Sequence, residues 1–267
     1  MAGRRTATVL VVAILVVPLA GCQDDTVLIR FQPPVGATYR YRSHVESRAV
    51  TALAENSPAD VSDSATLTAD HEVVTSDAGA VRIRVVLSRP GTGEGTYVMR
   101  FDRSAQLTAV ESVEGIPAAA LGDLGVSEIF PAGASAPPDR RLAPGDRWTI
   151  ANLVQLPGMA VPASLTGEGR LVELGVVDGR DTATVETTFT LPVTSTGLVA
   201  GGSRTLSGSQ TTVLRTTHDL VDGAIRRAVA STTGHYSLTL APAGGAPGEP
   251  IAGTLDVEVR STSDRVG

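Results

Sequence analysis

The sequence predicts a mainly β protein built on one large, curved antiparallel sheet, half-barrel-like, with one short helix. Three observations predict it. Apolar and polar residues alternate with a period of two through most of the chain, turn signals such as Asp-Gly separate the alternating runs, and Val and Thr, which suit a pleated surface, are plentiful. Only 3% of residues are aromatic against 42% hydrophobic, so aliphatic side chains must supply most of the core and the few rings are needed there.

The elements follow in order. Residues 1–8 are polar and carry Arg4 and Arg5, and residues 9–20 read VLVVAILVVPLA. A positive start, a 12-residue apolar stretch and small residues form a secretory signal over 1–21. The stretch is shorter than the roughly 20 residues of a spanning helix, and Pro18 suits a cleaved segment. Thr-Ala-Thr after Arg4-Arg5 lacks the apolar pair of twin-arginine signals, so the general secretory route is expected. Only Gln23, Asp24 and Asp25 then separate Cys22 from Thr26. Three residues span at most about 10 Å, so a chain anchored at Cys22 sits on the bilayer.

Residues 26–267 form the β-rich domain. Alternation is clearest at 64–74, 81–87, 182–191 and 251–261. There Leu67, His71 and Val73 share one face, Val81, Ile83, Val85 and Leu87 oppose Arg82 and Arg84, and Ile251, Leu255, Val257 and Val259 oppose Asp256, Glu258 and Arg260. Further strands are predicted at 26–31, 38–50, 97–102, 107–113, 147–153, 165–174, 209–218 and 225–240, with hairpins at Asp77-Ala-Gly79, Val177-Asp-Gly179 and Val221-Asp-Gly223. So many consecutive strands must curl or split into two layers. The helix is placed at 117–130, between Pro117 and Pro131, and 131–145 is a Pro/Gly-rich connector. Three motifs recur in the same order: Gly36-Ala-Thr-Tyr39 and Gly145-Asp-Arg-Trp148, Asp77-Ala-Gly79 and Asp178-Gly179, Phe101-Asp102 and His218-Asp219. They suggest duplicated halves at 26–130 and 142–262; a meander of hairpins that merely repeats Gly and Asp is the alternative.

Composition excludes whole classes of function. All 22 basic residues are Arg, which rules out a P-loop lysine, a Schiff base or a Ser-x-x-Lys nucleophile. With Arg4 and Arg5 in the leader, 20 arginines face 28 acids in residues 22–267, a formal charge of −8, so no nucleic-acid partner is expected. Cys22 is the only cysteine, which leaves no disulfide to staple the fold. His44, His71, His218 and His235 lack metal-ligand spacing, and no metal or other cofactor is expected. His71, on an apolar face, reads as a buried core histidine, and His44 and His218 read as solvated. No Gly-x-Ser-x-Gly elbow occurs, no catalytic residue can be named, and the chain is read as a non-enzyme. Gly91 to Gly95 reads as a wide hairpin loop, Gly201 to Ser203 and Ser207 to Ser209 as loops around a flexible connection, and Asp219 with Asp222 as turn residues rather than a calcium site. The apolar segment Leu153 to Val161 is either a cavity mouth or membrane contact, or a buried return.

Leu19-Ala-Gly-Cys22 resembles the lipobox of bacterial lipoproteins. That resemblance implies cleavage before Cys22, acyl chains such as palmitate on its sulfur, and a chain held by them to the outer face of the cell membrane. With its short tether, Gly-x-x-Tyr opening and long strands, residues 26–262 resemble uncharacterised envelope lipoproteins and, in architecture, the LolA-type and mycobacterial lipid-carrier half-barrel lipoproteins. The resemblance implies a lipid or other apolar ligand bound by the concave sheet; the alternative is an envelope structural or protein-interaction module with a filled core.

Overall fold

The computed structural model describes residues 26–54, 57–77, 80–91, 93–103, 107–114, 137–154, 163–199, 202–242 and 249–267. The signal segment, Cys22 and the helix expected at 117–130 lie outside them. Eleven strands run in chain order: β1 (Thr38–Leu53), β2 (Ala59–Ser76), β3 (Val81–Arg89), β4 (Gly93–Phe101), β5 (Leu107–Glu114), β6 (Arg147–Val154), β7 (Ala163–Val177), β8 (Arg180–Val199), β9 (Gly202–Asp219), β10 (Ile225–Pro242) and β11 (Ile251–Arg265). They form a single antiparallel sheet in the order β5-β4-β3-β2-β1-β11-β10-β9-β8-β7-β6. Two meanders are thus joined through the first and last strands, with β5 and β6 at the edges. Laid flat, ten intervals of about 4.8 Å would put those edges roughly 48 Å apart. Instead, Cα atoms of β5 and β6 approach within 8 Å, while among the described residues no ladder joins them. The sheet bends round on itself and stays open.

Cross-strand register assigns the two faces. Tyr39, Tyr41, Ser43 and Val45 of β1 stand opposite His71, Ala69, Leu67 and Ala65 of β2, and Ser43, Val45 and Ser47 stand opposite Ser263, Ser261 and Val259 of β11. This inward face holds the core: one cluster spans β1 to β4 with Phe31 and Ala224, a second joins Ile150, Leu165, Phe189 and Leu214, and a third packs Leu171, Ala183 and Val185 under Ile29 and Leu142. The outward face carries the charges, with Val213 and Val229 exposed among them. Arg48 pairs with Asp60, Arg84 with Glu72, and Arg215 with Glu173, all exposed and therefore adding little stability each.

One end of the sheet, the base, is closed by chain that crosses it. Val27 and Leu142 exchange two backbone hydrogen bonds of 2.8 Å, Phe31 N donates to Arg103 O at 2.9 Å, and Gln32 N donates to Asp222 O at 2.8 Å. Residues 26–31, expected as a strand, therefore form a strap with one isolated bridge. Its apolar residues are satisfied by packing beneath both meanders instead of by pairing in the sheet. The other end, the rim, carries the β1–β2, β8–β9 and β10–β11 connections.

The two meanders match in detail. Ala37 N donates to Pro34 O and Asp146 N to Ala143 O, closing turns whose Gly36 and Gly145 have φ of +81° and +95°, a conformation that favours glycine. Gly36 N then donates to Val73 O and Gly145 N to Leu171 O, and a bulge follows each acceptor. Phe101 pairs with Leu107 and, after a one-residue slip, Arg100 with Ala109; His218 pairs with Ile225 and, after the same slip, Thr217 with Arg227. The first and third of the recurring sequence motifs fall on these equivalent connections; Ala78 and Gly79 of the second lie outside the described residues.

Candidate functional site

The inward face changes character from base to rim. At the base a buried polar network ties the strands to the turn between β9 and β10. Tyr39 Oη donates to Asp222 Oδ2 at 2.9 Å, and Tyr41 Oη donates to Ile225 O at 2.8 Å. Asp222 Oδ1 accepts from Ala224 N at 2.9 Å, and Asp219 Oδ1 from Val221 N at 3.0 Å, so both aspartates do cap the turn as expected. Asp219, wholly buried, also meets Arg180 at 2.8 Å and Arg226 at 3.5 Å. Burial, and then the Asp222 carboxylate, push the Tyr39 phenol well above its ordinary pKa, and burial does the same to Tyr41.

The histidines divide. His71 is buried on the inward face with its ring 4.7 Å from that of Tyr41, and burial lowers its pKa to about 3. His218, expected at the surface, is fully buried; its Nδ1 lies 3.1 Å from Gly223 O and its Nε2 2.9 Å from Thr216 Oγ1. A carbonyl only accepts, so Nδ1 carries the proton and Nε2 accepts from the hydroxyl. The face is lined here by Leu214 and by Thr212 and Thr216, whose hydroxyls give it the look of a solvent-facing side. His44 and His235 are exposed.

Above the base the inward face is a belt of small hydroxyl residues. Ser43 Oγ donates to Ser263 Oγ at 2.9 Å, and the Thr212 and Thr232 hydroxyls lie 2.8 Å apart. Ser261, Ser263 and Ala228 are half-buried although they face inward, so open volume lies beside them. Nearer the rim the face turns apolar. Ala49, opposite both Val61 and Val257, starts this zone, and Leu255 with Tyr236, then Leu238, continue it. Tyr236 lies across Gly234, where any Cβ would sit 2.4 Å from the phenol oxygen. Leu255 and Val257 are half-buried, and Val61 and Ile251 are 63% and 45% exposed.

Two expected loops are corrected here. Ser207, Gly208 and Ser209 belong to β9, because Gly208 lets the strand press against β10, where a Cβ would meet His235 O at 2.1 Å. The wide loop expected at Gly91 to Gly95 is not wide: Gly93 to Gly95 belong to β4, and Arg89 already pairs with Gly93. Leu153 is 71% exposed, and the rest of its apolar segment, from 155 on, lies outside the described residues.

One inward residue escaped the sequence reading. Arg265 stands opposite Tyr41, and its guanidinium carbon lies 4.5 Å from the Tyr39 ring centroid. The signal was present: continuing the alternation from Val259 through Ser261 and Ser263 puts Arg265 inward, but the strand was ended at 261. Among the described residues no group of three or more His, Cys, Asp or Glu is placed to hold a metal ion. No protein-family model matches this chain, and no curated protein does.

Proposed function

We propose that this chain is an extracytoplasmic lipoprotein, anchored to the outer face of the cell membrane through acyl chains on Cys22, that binds a lipid or other apolar ligand non-covalently within its curved sheet. The observation that carries the reading is the rim half of the inward face. Val61, Val257, Leu255 and Ile251 are apolar and incompletely covered, yet they stand on the side toward which the sheet bends. Strand number supports it. Eight strands closed into a barrel leave room for side chains or one small ligand, and eleven sweep out a wider interior. At mid-height Ser261, Ser263 and Ala228 line that interior and remain half-buried.

The matched turns, bulges and slips support a second element of the proposal: the sheet is a duplicated five-stranded unit, β1 to β5 and β6 to β10, completed by β11, and it makes a half-barrel-like cup. The test is organic extraction and native mass spectrometry of the mature chain. Lipid released in stoichiometric amount is expected. A chain that carries none, and takes up no apolar probe, would instead favour the filled interaction module.

A further inference from the structure

We infer that the ligand is an anionic amphiphile bound head first, with its carboxylate or phosphate on Arg265 at the base and its tail running to the rim. The inference rests on the proposed ligand cup and names what it holds.

Arg265 is unusual among the cations of this sheet. Its Nη1 is buried and has no hydrogen-bond partner, and its Nε reaches only Gly267 O, at 3.4 Å. No Asp or Glu side chain among the described residues forms an ion pair with it. Arg89, also on the inward face, is by contrast neutralised by Asp63 at 3.1 Å. The nearby Asp222 does not serve Arg265: one of its oxygens accepts from Tyr39 Oη and the other from Ala224 N, while Arg265 stacks on the Tyr39 ring. Arg226, the next cation, is held by Asp178 and Asp219. Arg265 is half-buried with its Nη1 unmet inside the protein, and a planar fork of donors matches a carboxylate or phosphate.

What stands above Arg265 completes the match. Every second residue of β11 faces inward: Arg265, then Ser263 and Ser261, then Val259, Val257 and Leu255. Ser263 is bonded to Ser43, and Ala228 faces it across β10. The sequence from cation through hydroxyls to aliphatic groups extends over ten residues, roughly 33 Å of strand. That gradient fits an anionic head, a polar junction and an alkyl tail in that order. A purely apolar ligand would gain nothing from the base.

The test uses the whole mature chain with Cys22→Ser, so that no acyl chain of its own competes. Displacement of the neutral fluorescent probe N-phenyl-1-naphthylamine is measured for hexadecanoate, lysophosphatidate and hexadecanol. Both anions are expected to displace the probe at about tenfold lower concentration than the alcohol. Arg265→Met is expected to abolish that preference, and Arg265→Lys to keep part of it. A difference between the two anions identifies the head group. Equal displacement by acid and alcohol in the wild type, or a preference that survives Arg265→Met, overturns the inference while leaving the cup intact. Failure of the wild type to take up the neutral probe overturns the cup, and the inference with it. Should Arg265→Met not fold, the wild-type comparison and Arg265→Lys decide.

Discussion

Tyr39 and Asp222, 183 residues apart in the chain, meet in a buried hydrogen bond of 2.9 Å that joins the first strand of one meander to the last turn of the other. The same carboxylate caps its own turn through Ala224 N, and the same turn accepts from Gln32 N in the strap. One side chain therefore ties together both halves and the segment that closes the base. Removing the phenol leaves a buried carboxylate short of a donor. Tyr39→Phe is expected to cost about 2 kcal/mol in urea unfolding. Asp222→Ala should cost as much or more, since the turn loses its cap as well. In the double variant the two losses should fall short of their sum by about 1 kcal/mol or more, and strict additivity would show that the bond does not link the halves.

Acid should weaken the fold before the carboxylates titrate. His71 is buried neutral with a pKa lowered to about 3, and burial lowers His218 in the same sense. Once unfolded, each regains an ordinary pKa near 6.5 and takes up a proton. The stability these neutral rings carry is complete above about pH 6.5 and is lost as the pH falls toward the folded-state values. Between pH 7.5 and 4.5, His71 alone should account for a loss on the order of 2 to 3 kcal/mol. Urea midpoints measured across that range check it. Replacing His71 by Leu should flatten the slope, and an unchanged slope would show that the ring is not held neutral in the fold.

These two residues also mark how far the sequence could be read. Each of the eleven strands contains a run predicted from it, four of them read from alternation, because half-buried strands must alternate and the Arg, Asp and Glu side chains label their outer face. Reading failed where polarity stopped labelling the faces. Thr212, Thr216 and the serines of β11 are polar but point inward, so alternation alone assigns His218 to solvent and ends β11 short of Arg265. It failed again at 202–208, where glycine and serine resemble a loop but are the small residues that close strand packing requires. The strap at 26–31 has strand-like composition, and only the tertiary contacts to Arg103, Leu142 and Asp222 decide that it crosses the base. Cys22, legible as a lipidation site, takes its support from the sequence alone.

Gly223 should be the least replaceable glycine of the base. Its φ is +73°, and an added Cβ would lie 2.2 Å from Arg30 O in the strap. Alanine there meets both left-handed strain and a backbone clash. Gly223→Ala is expected to destabilise by at least about 2 kcal/mol and to speed amide exchange at Phe31 and Gln32, whose N–H groups hold the strap. Gly197, near the rim, has open space where its Cβ would go, and alanine there should be nearly neutral. Equal effects at the two positions would show that the strap does not bear on the base.

The proposed anchor and the apolar rim of the proposed ligand cup lie at opposite ends of the sheet. Thr26 is fixed at the base by Arg141, whose Nε donates to Thr26 Oγ1 at 2.9 Å, and by the bridge from Val27 to Leu142. The tether of Gln23, Asp24 and Asp25 adds at most about 10 Å. From the base, the 16 residues of β1 climb roughly 50 Å of strand to the rim. If Cys22 is acylated, the base rests on the bilayer and the apolar rim is presented away from it, toward whatever supplies or receives the ligand. With Cys22 consumed by the lipid, single cysteines can report depth. A fluorophore at Asp178→Cys, in the exposed turn at the base, should be quenched by headgroup-labelled vesicles. One at Leu198→Cys, 92% exposed at the rim, should be quenched little. Equal quenching at both sites would mean that the domain lies along the membrane and that ligand exchanges directly with the anchoring bilayer. Release of the Cys22→Ala chain from the vesicles serves as the control that acyl chains hold it there.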